Sequence, residues 1–404
     1  MTSDGPGPRR PTLRQFAIFD AIVRSGSAGA AARMLGLSQP AVTHALTLLE
    51  RSLGVLLTVR CQAGSQPTEM GTILHRRVAR LRDQVAQGLA TLRGEDPDSE
   101  RIRRLVAALT STQVAGHLAI ARGNSFRAAA QSLGISEPAL QRTARELERL
   151  LGAALYQRQG RHFVVTPAGE QLADRLQLGA AEIEQAYDEI EAARGLTAGR
   201  IALGCLPLMP KAIVATALGR LLERFPTVEI ALEEGSYDWM SVALRRGKLD
   251  MLLGALRGGA GEEGIENRPF FDDPYVVIGR SGHPCRDQAS PEALSRQAWI
   301  VPPAGTPRRI ELERLFATFP RRPRIVLETA SVSMMIATLS ESDCLSLSSL
   351  WHARTDFAGE EMAVWPLPLM GSTRQVGAAI RSDWLPTEVQ RAFLVQLEAA
   401  SRAA

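Results

Sequence analysis

The 404-residue sequence predicts an N-terminal half built from two copies of one small helical unit, followed by an α/β C-terminal half. The first observation is an internal repeat: residues 13–71 reappear without a gap at residues 111–169, shifted by 98 positions. The second is a change of pattern at Gly199, after which short apolar strands alternate with helices. A repeat of this length indicates a duplicated structural unit, and the alternation indicates a parallel sheet.

The composition is that of a globular protein, with 45% hydrophobic and 22% charged residues. No run of about 18 apolar residues occurs, so we expect no membrane-spanning segment. The first 11 residues are rich in Gly and Pro and lack the apolar core of a signal peptide, which predicts a disordered leader. The four cysteines have neither metal-site nor disulfide spacing, so we expect no metal site and a cytoplasmic location.

The charge differs between the two halves. Residues 1–200 hold 25 Arg and Lys against 19 Asp and Glu, whereas the remainder holds 22 against 24. This asymmetry favours a polyanionic partner for the first half only.

Each repeated unit is predicted to contain three helices. In the first copy, apolar spacing indicates a helix over residues 12–24, Ser27 caps a second helix, and Ser38 caps a third. Gly36 permits the left-handed backbone of the tight turn between the last two. Helix, glycine turn and capped helix form the helix-turn-helix pattern, whose second helix enters the major groove of DNA.

The outward residues at the start of each third helix are the predicted base contacts. Gln39 can pair with adenine and Thr43 can touch a thymine methyl or a phosphate, unless both are merely solvated. Glu137 in the second copy would repel phosphate but can accept a hydrogen bond from cytosine. A two-stranded wing follows each third helix and carries cations suited to phosphate. The predicted DNA-contacting residues are Ser38, Gln39, Ala41, Thr43, His44, Arg60, Ser136, Glu137, Gln141, Arg142, Arg145, Arg158, Arg161 and His162.

The second copy contains Ser125-Phe126, Ala129-Ala130, Leu133-Gly134-Ile135-Ser136, Pro138-Ala139-Leu140, Leu147-Glu148 and Thr166-Pro167-Ala168-Gly169. Through these residues and their counterparts in the first copy, both copies resemble the winged helix-turn-helix domain of LysR-type transcriptional regulators. The family usually has one such domain, so the duplication is a departure. The resemblance implies double-stranded DNA as partner and a linker helix that joins two chains in a homodimer or homotetramer. We expect that pair at residues 166–195, while the apolar stripe of residues 68–92 has the alternative of packing within its own chain.

The C-terminal half contains Leu208-Met209-Pro210, Phe225-Pro226, Gly247-Lys248-Leu249-Asp250 and His283-Pro284. Through these residues it resembles the effector-binding domain of the same family, a two-lobed fold like that of periplasmic binding proteins. It implies an anionic or sugar-like small-molecule effector between the lobes, held by strand-end loops and helix N-termini. The predicted effector-binding residues are Cys205, Leu206, Pro207, Leu208, Ser236, Tyr237, Thr306, Arg308, Ser331 and Ser333.

Three of these residues have competing interpretations. Ser331 is either a ligand contact or only a helix cap, and Arg308 is either a ligand contact or only a surface cation. The family often offers Ser or Thr just after the first strand, where this chain has Cys205, which leaves a less polar ligand open.

The sequence has no nucleophile motif, metal-binding motif or glycine-rich phosphate loop, so we predict neither an enzyme nor a cofactor. The alternative to a regulator is a ligand-binding or protein-interaction module in which one or both helix-turn-helix units are vestigial.

The predicted domains are a leader at 1–11, a first winged unit with linker helix at 12–93, a linker at 94–110, a second winged unit with linker helix at 111–195, and an effector domain at 199–404. Within the effector domain, one lobe is predicted at about 199–274 plus 375–404 and the other at about 275–374.

Overall fold

A computed structural model describes residues 11–62, 64–123, 125–159, 162–257, 264–287, 290–355, 362–366 and 373–403. The chain divides into two units, Met1–Gly199 and Arg200–Ala404. The predicted leader lies outside the described residues as far as position 10.

The N-terminal unit contains the same order of elements twice, in which three helices are followed by a two-stranded antiparallel sheet and a long helix. The first set is α1 Leu13–Ser25, α2 Ala28–Leu35, α3 Gln39–Leu53, β1 Thr58–Cys61, β2 Gly64–Pro67 and α4 Glu69–Arg93. After α5 Glu100–Ala108, the second set is α6 Ser111–Gly123, α7 Phe126–Leu133, α8 Glu137–Leu151, β3 Tyr156–Gln159, β4 His162–Val165 and α9 Pro167–Ala193.

The caps that the sequence predicts begin and end these helices. The hydroxyls of Ser27 and Ser38 accept hydrogen bonds from backbone N–H groups three residues later, which satisfies donors that the first helical turn leaves free. Gly36 ends α2 with φ 65°, a left-handed conformation that a side chain would strain. The turn between α2 and α3 is therefore set locally by the sequence.

The linker helices α4 and α9 pair with each other inside one chain. Leu74, Leu81 and Leu89 of α4 share one buried core with Leu172 and Leu176 of α9. Residues 166–195, which the sequence led us to expect in a pair with a second chain, here pack against α4 of the same chain. The alternative for α4, an apolar stripe that packs within its own chain, is confirmed, because the duplication supplies a complementary stripe in the same molecule.

Residues 94–110 are not a structureless linker. Gly94 ends α4, and the short helix α5 follows with Ile102 and Leu109 buried in the same core as the linker helices. Arg93 bonds Glu95 at 2.9 Å, and Arg101 approaches the same carboxylate at 3.3 Å. The acidic run suggests flexibility, but two buried apolar residues fix the connection in place.

The C-terminal unit is an α/β structure. Its described helices are α10 Lys211–Arg224, α11 Tyr237–Arg245, α12 Pro291–Ser295, α13 Pro307–Ala317, α14 Val332–Ser340, α15 Leu350–Thr355 and α16 Glu388–Ala403. Its described strands are β5 Arg200–Cys205, β6 Glu229–Glu234, β7 Met251–Ala255, β8 Ile265–Arg280, β9 Ala298–Val301, β10 Arg324–Glu328, β11 Cys344–Ser349, β12 Met362–Pro366 and β13 Thr373–Arg381.

These strands form two parallel groups joined by antiparallel strands, in the order β10-β9-β11-β8-β13-β7-β5-β6, with β12 also on β8. β8 pairs with β13 as far as Pro274 and with β11 from Tyr275 onward, so it changes partners where the sequence places the lobe boundary. The parallel pairing expected from the sequence is confirmed for β5 with β6 and β7 and for β9 with β10 and β11, whereas β8, β12 and β13 pair antiparallel. The strand β8 is 16 residues long and was missed as a connector because prolines and adjacent acids interrupt its apolar pattern.

Candidate nucleic-acid interface and ligand cleft

The start of α3 presents an uncharged polar surface to solvent. Ser38, Gln39, Ala41, Thr43 and His44 are all exposed, as the sequence predicts for groove contacts. The Thr43 hydroxyl donates to the Gln39 carbonyl at 3.1 Å, which leaves both of its lone pairs available to accept hydrogen bonds. The side-chain amide of Gln39 remains on the surface, where it can make paired hydrogen bonds to a base edge.

The equivalent surface of α8 is dominated by arginine. Arg142 and Arg145 are exposed and, with Arg149, line a shallow groove along the helix. Glu137 is half-buried and accepts a hydrogen bond from the amide of Gln141 at 3.2 Å. This bond turns both side chains toward each other, while Ser136 remains exposed at the start of the helix. The α8 surface therefore suits phosphate better than base edges.

The two wings also differ. In the first, Arg60 is exposed on β1. In the second, Arg158 is exposed on β3, and the backbone of His162 pairs with Gln159. Arg161 and the side chain of His162 lie outside the described residues.

A buried histidine joins the second wing to its helices. His117 bonds the Gly169 carbonyl at 3.0 Å through Nε2 and the Tyr156 hydroxyl at 2.7 Å through Nδ1. Because a carbonyl only accepts, Nε2 carries the proton and Nδ1 accepts from tyrosine. The tyrosine ring packs edge-on against Phe126. The first copy has Phe19 at the position of His117, so only the second copy has these two buried hydrogen bonds.

We expect the second copy to lose stability in mild acid because of His117. Burial lowers the pKa of His117 to about 4, so the unfolded chain binds a proton at higher pH than the folded chain. Stability is therefore lost as pH falls from about 6.5 to about 4, by roughly 3 kcal/mol in total. Urea unfolding at several pH values measures the loss.

The control for this prediction is the variant His117→Phe with Tyr156→Phe, which removes both ends of the buried hydrogen bond. Its unfolding free energy should fall less with acid than that of the unmodified protein. An identical pH dependence in the two proteins would contradict the role of His117.

In the C-terminal unit, two buried charged residues connect the strand ends of both parallel groups. Arg374 of β13 donates to Asp273 of β8 at 2.6 Å, to the Leu208 carbonyl after β5 at 2.8 Å, and to Ser349 at the end of β11 at 3.0 Å. Both partners of the ion pair are almost fully buried, with side chains 5% and 2% exposed. The sequence analysis missed this pair, for which two adjacent acids inside an apolar stretch were the available signal.

Arg308 is a buried cation without a described carboxylate partner. The residue is 9% exposed, and its guanidinium bonds the Met335 sulfur at 3.7 Å, a weak contact. Burial, and then the charge of Arg374, lower the pKa of Arg308 to about 10, so it remains protonated at neutral pH. The interpretation of Arg308 as only a surface cation is therefore wrong.

A serine hydroxyl of β11 contacts the same Met335 sulfur as this cation. Ser346 bonds the Ile300 carbonyl at 2.8 Å and contacts the same Met335 sulfur at 3.2 Å. Ser348 lies on the same face of the strand, and its buried hydroxyl has no hydrogen-bond partner among the described residues. The buried Arg308 cation and the unsatisfied Ser348 hydroxyl are each groups that an anionic ligand could satisfy.

The other predicted effector residues are less directly placed for ligand binding. Thr306 and Ser331 cap α13 and α14, and Ser333 bonds Ser331 at 3.1 Å, so Ser331 acts as a helix cap in this structure. Ser236 is exposed and makes no cap bond. Tyr237 is buried beneath the Arg257 guanidinium, 3.9 Å from its ring centre.

The loop after β5 is largely apolar. Burial, and then the charge of Glu234, raise the pKa of Cys205 to about 12, so its thiol stays neutral. The side chain of Leu206 is half-buried and Pro207 is exposed, while the Leu208 carbonyl is engaged by Arg374. The loop after β5 therefore offers apolar contact, whereas the polar groups described above come from β11, β13 and α13.

Two negative findings apply to the described parts of the chain. No helix there is long and apolar enough to cross a membrane. Nor does that part of the chain bring three or more His, Cys, Asp or Glu side chains together as a candidate metal site.

Sequence comparisons match both halves. The pattern of bacterial regulatory helix-turn-helix proteins of the lysR family matches residues 13–72 and 113–170, and the LysR substrate binding domain matches residues 194–402. The HTH-type transcriptional regulator GalR of Pseudomonas putida is 28% identical over 389 residues, covering 95% of this chain and 96% of that protein. TdcA of Escherichia coli is 23% identical over 183 residues, covering 45% of this chain and 59% of that regulator.

A solved structure shows the fold. Full-length OxyR from Pseudomonas aeruginosa aligns with a TM-score of 0.52 and 21% identity, over 73% of this chain and 95% of that chain. The relatives above are named as transcriptional regulators and not as enzymes. With a LysR substrate binding domain over half of its length and lysR-type helix-turn-helix segments before it, the chain belongs to the LysR family of transcriptional regulators.

Proposed function

We propose that both N-terminal copies are winged helix-turn-helix domains that contact double-stranded DNA, and that a small anionic effector bound between the C-terminal lobes controls this binding. The observation that carries the DNA part is that α3 and α8, both within segments that match the family, present exposed polar or cationic faces. If the helix-turn-helix units no longer bound DNA, α3 would not need five exposed residues at the positions that enter the major groove, and α8 would not need an arginine-lined groove.

We propose that the two copies make different kinds of contact with DNA, the first with bases and the second with phosphates. Gln39 and Thr43 of α3 would read bases, because their neutral polar groups discriminate between base edges. Arg142 and Arg145 of α8 and Arg158 of the second wing would hold phosphates, which adds affinity and salt sensitivity but no sequence choice.

A pair of variants tests this division on DNA from upstream of the protein's own gene. Gln39→Ala should cost about 1–3 kcal/mol of discrimination at one base pair and leave the salt dependence unchanged. Arg145→Ala should weaken binding to all sequences and lower the slope of log affinity against log salt by about one. Gel-shift titrations at several salt concentrations measure both quantities.

Thr47→Ala is the matched control, because Thr47 occupies in α3 the position of Arg145 in α8 and its hydroxyl bonds the Thr43 carbonyl. It should leave both quantities unchanged. If Gln39→Ala leaves sequence preference intact, the first copy does not read bases. If the unmodified protein gives no shift at low salt, the proposal of DNA binding fails.

The effector is proposed to be a small anion, such as a carboxylate with an apolar body. Arg308 would supply its counter-charge and Ser348 a hydrogen bond, while Leu206 and Pro207 would contact its apolar part. Arg374 lies between the two groups of strand ends and would transmit closure of the lobes. This proposal keeps the predicted anionic class and sets aside a sugar-like ligand, which would leave the buried cation uncompensated.

A further inference from the structure

We propose that α4 and α9 form a pair specific for each other within one chain, so that a single chain carries a complete pair of DNA readers and its linker helices do not join it to a second chain. The pairing rests on the helices alone. Only the description of the paired units as DNA readers rests on the function proposed above.

The two copies meet through equivalent residues. The N–H of Leu13 donates to the Ser111 hydroxyl at 2.8 Å, and these positions differ by the repeat offset of 98. Leu81 of α4 and Gly179 of α9 differ by the same offset and are also in contact. Equivalent residues touch only near a two-fold axis, so an approximate two-fold axis relates the copies within the chain.

At that axis the residues have complementary shapes. A Cβ atom on Gly179 would lie 2.7 Å from Cδ1 of Leu81, so Leu81 occupies a notch that exists only because position 179 is glycine. Two α4 helices crossed in this way would set Leu81 against Leu81 and overpack the crossing. Two α9 helices would set Gly179 against Gly179 and leave a void. The shape at the crossing therefore favours α4 with α9.

The charges give the same preference. α4 carries five arginines and two acidic residues, whereas α9 carries one arginine and seven acidic residues. Two copies of either helix would bring like charges together, whereas α4 with α9 pairs opposite charges. Because α4 is basic and α9 acidic, charge favours the pair within the repeat over either self-pair.

The buried polar bonds show how the two halves of the pair have diverged. Arg77 has no solvent exposure and donates to Glu182 at 2.7 Å and to Glu189 at 3.1 Å. By the approximate symmetry, Arg175 makes the corresponding bond to Gln84 at 3.0 Å. In a pair of two α4 helices, Arg77 would meet an amide instead of a carboxylate, and a fully buried cation would lose its counter-charge.

The ends of the linker helices also engage the opposite copy. Arg93, at the end of α4, donates to the Leu151 carbonyl at the end of α8. Ile102 of α5 is buried in the shared core, which holds the connection from α4 to α6 against the pair. The connection therefore joins neighbouring helices of one chain directly, and no exchange with a second chain is needed.

Cysteine cross-linking of the full-length chain tests the pairing. The background variant carries Cys61→Ser, which removes the exposed cysteine, while the other three cysteines are buried. Leu81→Cys with Gly179→Cys should oxidise to an intramolecular disulfide, seen as a chain of monomer mass with a linked pair of peptides by mass spectrometry. Each single cysteine variant should give no covalent dimer.

Three results would overturn the proposal. A covalent dimer from Leu81→Cys alone would show α4 paired with α4 of another chain. A covalent dimer from the double variant would show pairing between chains. The absence of any cross-link in the double variant would show that the two positions do not meet.

A residue exchange at the axis keeps the test independent of cysteine chemistry. Gly179→Leu alone should lower Tm by about 3–10 °C, because two leucines then meet at the crossing. Adding Leu81→Gly should recover more than half of that loss, because the large side chain then lies on α9 and glycine on α4 leaves space for it. Additive losses in the double variant would show that the two residues do not form a complementary pair.

DNA binding separates this inference from the proposed function. The disulfide-linked double variant should bind DNA within about twofold of its reduced form, because the link fixes the pair that already exists. If neither form nor the unmodified protein binds DNA, the proposed function fails while the cross-linking result stands.

Discussion

Replacing Arg77 with alanine is expected to lower the free energy of unfolding of the N-terminal unit by about 3–5 kcal/mol. The side chain is fully buried between α4 and α9, and its removal leaves Glu182 and Glu189 with fewer compensating donors in a site closed to water. Burial alone would lower the pKa of Arg77, but its bonds to Glu189 and Glu182 raise it, so the cation is present at any working pH. Urea unfolding followed by circular dichroism at 222 nm measures the loss.

Arg76→Ala is the matched control for this variant. Arg76 bonds the same Glu189 at 2.8 Å, but its side chain is 49% exposed. An exposed ion pair contributes about 0–1 kcal/mol, so the control should change stability little. Equal losses in the two variants would show that burial between the helices does not set the strength of the Arg77 contacts.

Replacing Arg308 with methionine is expected to have opposite effects on stability and on ligand binding. The unliganded protein should gain stability, because a buried cation without a described carboxylate partner is removed at little change in volume. Binding of an anionic ligand should weaken by at least about thirtyfold, since truncating one member of a buried charge pair costs about 2–5 kcal/mol. Thermal shifts with benzoate and succinate, compared with neutral benzamide, measure both effects in the full-length chain.

Arg309→Met serves as the control, because Arg309 is already paired with Glu313 at 2.8 Å and Glu328 at 3.0 Å. It should lose stability slightly and leave the response to carboxylates unchanged. If Arg308→Met destabilises the unliganded protein and retains the carboxylate response, the buried cation is structural and the proposed anion site is wrong.

Local signals made most of the fold predictable. Apolar spacing and Ser caps gave the helices of both copies to within about a residue or two, because caps and glycine turns act over a few neighbouring residues. The same reasoning predicted the alternation of strands and helices after Gly199 but did not predict β12, β13 or β8 as one long strand, since the length of β8 depends on its pairing with β13 and β11. The short helix α5 within the predicted linker was not expected from the sequence, and burial of Ile102 fixes it in the core.

The site was predictable in part for the same reason. Exposed residues of α3 follow from the helical period, so Gln39 and Thr43 were placed on the surface correctly. Arg308 was named from its position after a strand, but only the structure distinguishes a buried cation from a surface one. Arg374 and Asp273 lie 101 residues apart, and no local pattern connects them.

By itself, the sequence determined the duplication, the helices of both copies and the family to which they belong, because these depend on periodicity and on matches along the chain. The tertiary structure decided which surface each linker helix meets within the chain. It set Leu81 of α4 against Gly179 of α9, and Arg77 of α4 against Glu182 of α9. Shape and buried charge choose a partner only when both surfaces are known, and an apolar stripe alone does not specify which surface it meets.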